Sequence, residues 1–389
     1  MPIDVDRVRA DTPGCSKVNH LNNAGAALPP RSVTQTMIDH LRLEAETGGY
    51  EAAAKAAPRL ERCYDSVAAL LNCHRDEVAI VENATRAWDM AFYSLPLGPG
   101  DRILTARAEY ASNYIAFLQA AGRTGATVEA IADDADGQLD VDALRQALDD
   151  RVKLIAVTHV PTSGGLINPV EAIGAVARQA GVPFLLDACQ SAGQMPLDVE
   201  RLGCDMLSAT GRKFLRGPRG VGFLYVRNSW IGKLEPPFLD LHSASWIAPD
   251  RYEMRADARR FETWEGNVAA KLGLGAAIDY ALDLGLDAIR ARCRTLADQL
   301  RQGLAALDGV TVHDTGRDKA AIVGFTKQGE EPRRIADRLS VLGINVSIST
   351  AQSTLIDMAA RGLDAVVRAS PHYYNTEEEI DRLVAAVRN

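Results

Sequence analysis

Lys213 is the residue most ready for covalent chemistry. It stands in Ser208-Ala-Thr-Gly-Arg-Lys213, before the Gly/Pro-rich loop Phe214-Leu-Arg-Gly-Pro-Arg-Gly220, in a chain that favours Arg over Lys. Like charge from Arg212, with Arg216 and Arg219 close by in sequence, disfavours the ammonium form. A lowered pKa and a free amine able to form a Schiff base are therefore expected. Alone, the segment reads equally well as a solvated basic loop. The second residue is Asp187, which ends the apolar run Val182-Pro-Phe-Leu-Leu-Asp187. That pattern predicts a buried parallel strand with an acid at its carboxyl end, where open α/β sheets bind ligands. Alone, Asp187 reads as a helix N-cap. Taken together, the two point to one cofactor, pyridoxal 5'-phosphate. The lysine holds its aldehyde, and the carboxylate keeps its pyridine nitrogen protonated so that the ring accepts electrons.

The elements that must position this pair alternate along the chain. Strands are expected at Val78–Val81, 101–106, 152–157, 182–187, Met206–Ser208 and Gly222–Val226, with helices over 31–71, after Thr85 and over 139–150. Ser32 is a candidate helix cap, and Thr47-Gly-Gly-Tyr50 breaks the first helical stretch. Residues 227–260 look irregular, and the basic run Arg255–Arg260 reads as a solvated face. Residues 268–305 carry a long amphipathic helical signal. Beyond them, strands near 310–312, 322–325, 344–347 and 365–370 alternate with helices over 331–342 and 376–388, the pattern of a small α+β unit. The turn Asn83-Ala84-Thr85 at a helix start offers free amides and a positive dipole end, suited to a phosphate.

Composition fits a soluble enzyme. The 389 residues are 47% hydrophobic, and net charge is −8, with 51 acids against 43 bases. This gives no general electrostatic case for nucleic acid or an anionic membrane. No apolar run reaches membrane-spanning length, and Met1-Pro-Ile-Asp-Val-Asp6 lacks a signal-peptide pattern. The cysteines at 15, 63, 73, 189, 204 and 293 show neither zinc-site nor disulfide spacing. A cytoplasmic protein with buried thiols and no metal site is expected.

From His20-Leu-Asn-Asn-Ala-Gly25 to Arg368-Ala-Ser-Pro-His-Tyr-Tyr-Asn375, the ordered motifs resemble the class V branch of fold-type I pyridoxal phosphate enzymes. That branch includes cysteine desulfurases, selenocysteine lyases, isopenicillin N epimerase-like proteins and ergothioneine C–S lyases. The resemblance implies an N-terminal arm (1–30), a large α/β domain (31–275) with a mostly parallel seven-stranded sheet, and a small α+β domain (276–389). It also implies a homodimer with sites at the subunit interface. By resemblance, Ala84, Thr85, Thr210 and Arg212 meet the cofactor phosphate, and Thr162 and Gln190 meet its phenolic oxygen. Tyr110 takes the ring-stacking position that relatives usually give to His. Stacking survives that change, and a Tyr can still exchange a proton. Asn23, Ala24, Gly25 and Tyr50 are placed near substrate, and Arg368 matches the arginine that grips its α-carboxylate. His159 is expected to be structural. Trp264-Glu265 replaces a Gly-Thr pair whose hydroxyl, in desulfurase-like relatives, reaches a partner subunit's phosphate.

Desulfurases carry a persulfide-forming cysteine on the loop that here reads Ser347-Ile-Ser-Thr-Ala-Gln-Ser-Thr-Leu-Ile356. Because a sulfur-accepting nucleophile must be a thiolate, the chain is expected not to be a cysteine desulfurase. The favoured activity is β-elimination on a cysteine S-conjugate or its sulfoxide in secondary metabolism, such as antibiotic biosynthesis. It would give a thiol or sulfenate, pyruvate and ammonia. Epimerisation, transamination and decarboxylating oxidative deamination are the alternatives, and a scaffold without turnover is disfavoured because Lys213 and Asp187 are both present.

Overall fold

The computed structural model describes residues 2–388. After the N-terminal arm come helices α1 (Arg31–Thr47) and α2 (Gly49–Leu71), separated where Gly48 adopts φ 94°. The chain then runs β1 (Val78–Val81), α3 (Ala84–Phe92), β2 (Arg102–Ala106), α4 (Ala111–Thr124), β3 (Thr127–Ile131) and β4 (Val152–Thr158). It continues through α5 (Val170–Ala180), β5 (Phe184–Asp187), β6 (Met206–Thr210) and β7 (Gly222–Val226). These strands form one seven-stranded sheet in the order β1-β7-β6-β5-β4-β2-β3. Only β7 runs opposite to the rest, pairing antiparallel with β1 and β6.

The central strands are covered on both faces, so β4, β5 and β6 are buried at nearly every position rather than at alternate ones, while the edge strand β3 exposes Thr127 and Glu129. Leu154, Ala156, Leu185, Met206 and Leu224 face one core with Trp88, Phe92 and Phe117. Their neighbours Ile155, Val157, Leu186, Leu207 and Tyr225 face the other, with Val67, Leu71 and Ile278. Each large side chain buried in this way contributes about 1.5–3 kcal/mol. A sheet fixed at this cost in sequence space holds its carboxyl edge still, and that edge carries the site.

Residues 227–260 are more ordered than expected. They contain an exposed hairpin of β8 (Ala244–Ala248) and β9 (Arg251–Met254), paired antiparallel. The basic run that follows is not a solvated face. Arg260 is buried and donates to the carbonyls of Arg255 and Ile231, while Arg259 pairs with Glu61 at 2.7 Å over the ring of Tyr64. The long helical stretch divides at Gly285 into α6 (Val268–Leu284) and α7 (Leu286–Ala305). The remaining elements are β10 (Val310–Val312), β11 (Val323–Lys327), α8 (Pro332–Val341), β12 (Ser347–Thr350), β13 (Ala365–Ala369) and α9 (Glu377–Arg388). The four strands form an antiparallel sheet in the order β10-β11-β13-β12. The arm joins this second unit through Asn19 and His20, which pair with Ile344 and Asn345. No helix among the described residues is long and apolar enough to cross a membrane.

Candidate active site

The pocket forms at the carboxyl edge of the large sheet, where the strands end and the loops diverge. Asp187 closes β5, Thr210 closes β6 with Lys213 three residues on, and Thr162 follows β4. Asn83, Ala84 and Thr85 lie at the start of α3, and Tyr110 lies just before α4. All of these, with Asn113, Thr158, Val160, Cys189, Gln190 and Arg212, line one cavity.

Lys213 is half-buried on the cavity wall and its pKa is lowered, first by burial and then by the Arg212 and Arg368 charges, while Cys189 and Asp187 pull it back up. Of the three arginines expected to act on the amine, Arg212 does so. Arg216 and Arg219 are not among the groups that act on the amine. The Arg216 guanidinium turns away into the core, donating to Leu28 O at 2.8 Å and Tyr373 Oη at 2.7 Å and to the Thr12 hydroxyl. Asp187 Oδ1 accepts from the Cys189 amide at 2.8 Å, and Oδ2 accepts from Asn113 Nδ2 at 3.0 Å. The start of α3 is capped by Asn83, whose side chain accepts from Arg86 N at 2.9 Å, so the Thr85 hydroxyl is not needed as a cap. Ser32 likewise caps nothing, since α1 begins after Pro30.

Arg368 reaches the pocket from β13. It is buried, and its hydrogen bonds go only to neutral groups: Thr162 O at 3.0 Å, Thr162 Oγ1 at 2.6 Å and Asn22 Oδ1 at 3.4 Å. Its Nε has no partner, and burial pushes its pKa down to about 10. A guanidinium held this way is a receptor for an anion. Gln190 Nε2 donates to Ala24 O at 3.1 Å and Thr162 Oγ1 at 3.4 Å, leaving its buried Oε1 unpartnered. Arg212 donates to Gly25 O, which brings Ala24 and Gly25 of the arm to the rim.

Two expected substrate residues are not placed there. The Asn23 side chain is consumed within the protein, donating to His20 O and Ser370 O and accepting from Tyr374 Oη. Its neighbour Asn22 meets Arg368 instead, and a turn of two adjacent asparagines gave no means of choosing between them. Tyr50 sits in the first turn of α2, just past Gly48, 78% exposed and outside the cavity lining. Trp264 and Glu265 line a separate cavity with Glu82, His242 and Lys271. His159 is buried and its pKa is pushed down to about 4 by burial, so it is neutral, in line with a structural place. Sequence reasoning also missed Glu109 and Asn113. Their spacing of four across a helix start was the available signal.

The residues present fit pyridoxal phosphate. An amine kept from charging, a carboxylate at a strand end, a buried polar atom without a partner and a free helix N-terminus converge on one cavity. The segment expected to lack a sulfur acceptor does lack one. It forms β12 and the following turn, where Ser349 and Thr354 hydroxyls clamp onto Ser163 Oγ at 2.8 and 3.0 Å.

A model of the family "Aminotransferase class-V" matches residues 19–383. A probable cysteine desulfurase of Xylella fastidiosa is 32% identical over 398 residues, covering 99% of this chain and 95% of its own. One of Methanothermobacter thermautotrophicus is 29% identical, covering 97% and 95%. The apo structure of cysteine desulfurase from Thermococcus onnurineus NA1 superposes with a TM-score of 0.92 at 29% identity, covering 100% of this chain and 98% of that one. These relatives overturn the expectation of an S-conjugate β-lyase, and with it the epimerase, aminotransferase and oxidative deaminase alternatives and the link to antibiotic biosynthesis. They also conflict with the exclusion of cysteine desulfurase. That exclusion treated the location of one nucleophile as decisive, whereas the bond-breaking apparatus lies with the cofactor and Lys213. The chain belongs to the class V aminotransferase family, has the fold-type I α/β architecture, and is a pyridoxal phosphate-dependent lyase.

Proposed function

We propose that this enzyme removes the sulfur atom of free L-cysteine, leaving alanine, and passes that sulfur to a thiol the chain does not itself carry. The observation that carries an amino-acid substrate is Arg368, a buried guanidinium with only neutral partners beside Lys213. The sulfur chemistry rests on the names of the curated relatives. The external acceptor rests on the side chains at hand. Segment 347–354 holds no cysteine, and the thiol lining the pocket, Cys189, has its pKa raised well above the ordinary value, chiefly by burial. A thiol kept protonated is a poor nucleophile.

Pyridoxal phosphate bound at Lys213 supplies an electron sink for bonds at Cα and Cβ. The chain's own residues bind and move protons around it. With the cofactor bound, Asp187 would hold a proton at the pyridine nitrogen, and Tyr110 would supply an aromatic face for the ring. The α3 amides at Ala84 and Thr85, with Thr210 and Arg212, receive the phosphate dianion. Thr162 and Gln190 meet the phenolic oxygen. Arg368, backed by Asn22, orients the α-carboxylate, and Ala24 and Gly25 border the side chain. Lys213 Nζ would take the proton from Cα and return one there, while Cβ would gain the proton that the two thiols release as the S–S bond forms. The reaction balances as cysteine plus RSH giving alanine plus RSSH, with the Cβ–S bond broken and an S–S bond formed. A homodimer completes the reading, its surface formed by Phe238, Leu241, Trp246 and Trp264, which are exposed, with Phe238 lying 5.1 Å from the Arg86 guanidinium on α3.

The test follows the sulfur. Holoenzyme is given L-cysteine with and without a small dithiol, and persulfide is measured on the dithiol and, by mass, on the chain. Sulfur should leave only when the dithiol is present and not at all from Lys213→Ala. Release at the same rate without an acceptor, or a persulfide on one of the chain's own cysteines, would refute it.

A further inference from the structure

Asp187 is held from behind by a residue pair that does not belong to its strand. Asn113 Nδ2, which donates to Asp187 Oδ2 at 3.0 Å, also donates to Glu109 Oε1 at 2.8 Å. A flipped amide would set its oxygen against two carboxylate oxygens, so charge fixes the orientation. Glu109 is buried and accepts from four further donors. They are the Tyr110 amide at 3.0 Å, the Thr158 amide at 2.8 Å, Thr105 Oγ1 at 3.2 Å and the Thr158 hydroxyl. Burial pushes its pKa up to about 7 against the pull of these donors, with Asp187 adding to the rise. Glu109 does not itself line the pocket, yet Tyr110, Asn113 and Thr158 all do.

We propose that Glu109 is a positioning residue that acts through Asn113 on Asp187 and through the Tyr110 amide on the aromatic face of the site. One buried carboxylate thus sets both walls of the slot that receives the pyridine ring. Asn113 keeps two buried carboxylates apart while satisfying both. Without its amide, Asp187 keeps the Cys189 amide on Oδ1 but loses its donor on Oδ2, and its hold on the proton at the ring nitrogen weakens. The inference rests on cofactor binding at Asp187 and is independent of which substrate or sulfur acceptor is used.

The experiment loads wild type, Asn113→Ala and Glu109→Gln with cofactor carrying ¹⁵N at the ring nitrogen. It reads the nitrogen chemical shift and the cofactor dissociation constant, without substrate. Both variants should keep the fold by circular dichroism, move the shift toward the unprotonated value and weaken cofactor binding by about tenfold. In an Asp187→Asn background the Asn113→Ala change should have no further effect on either readout. Shifts and affinities within twofold of wild type, or effects that add fully in the Asp187→Asn background, would overturn the proposal. If Asn113→Ala fails to fold, Asn113→Ser, which is smaller but keeps a donor, decides by the same criteria.

Discussion

Arg368 holds a charge that its own chain leaves without a counter-ion, which suits it to the proposed part of binding a substrate's α-carboxylate. A hydrogen bond to a charged group is worth about 1.5–3 kcal/mol. Arg368→Gln should therefore raise KM for cysteine by about 10- to 100-fold, with a smaller change in kcat, as steady-state kinetics would show. An unchanged KM would mean that the carboxylate is bound elsewhere. At this scale Asp187 was legible because it ends an apolar run, and Lys213 because it stands among small residues before a Gly/Pro-rich loop, whereas Thr210 and Arg368 were legible through the resemblance to relatives. Glu109 and Asn113 were not, because their partner Asp187 is far along the chain and nothing in a polar pair announces burial. Asn22 and Asn23 are adjacent and chemically identical, and only the turn that ends at Ser370 decides which one faces Arg368.

Elements bring these residues together, and one tight joint lies between β7 and the start of α3. A Cβ on Gly222 would stand 2.5 Å from Ala209 O and 3.0 Å from the Ala84 amide, the amide proposed to receive phosphate. Overpacking of this kind costs about 1–3 kcal/mol. Gly222→Ala should lower the thermal midpoint and weaken cofactor retention by about tenfold on dialysis, while Gly232→Ala, with nothing near its Cβ, should do neither. The element pattern was largely readable, since two-faced burial makes β4, β5 and β6 continuous apolar runs. The β8–β9 hairpin was missed for the converse reason. It packs little core, so Ala244-Ser-Trp-Ile-Ala248 shows no alternation between buried and exposed positions, and its order comes from the partner strand. The turn after Lys213 is a further case. Arg216 takes φ 61°, a conformation that disfavours any side chain, and is held by three tyrosine rings at 4.6–5.7 Å that only the folded chain assembles.

At the scale of the whole molecule, the exposed residues Trp246, at 80% exposure, Leu241, Phe238 and Trp264 are more apolar than a lone subunit in water favours. Sedimentation should give a particle of twice the 41.9 kDa chain mass, and Trp246→Asp should yield monomers with weakened turnover. A wild-type monomer at full activity would contradict the shared-site reading. The sequence conveyed the family and cofactor at this scale but misassigned the reaction, because motifs report what a site is built to hold rather than which bond it breaks. The carbon product tests the account most directly. Holoenzyme, L-cysteine and a dithiol are incubated, and alanine, pyruvate and ammonia are quantified against sulfur released. The account predicts alanine in one-to-one ratio with sulfur and no pyruvate. Pyruvate and ammonia in place of alanine would contradict it.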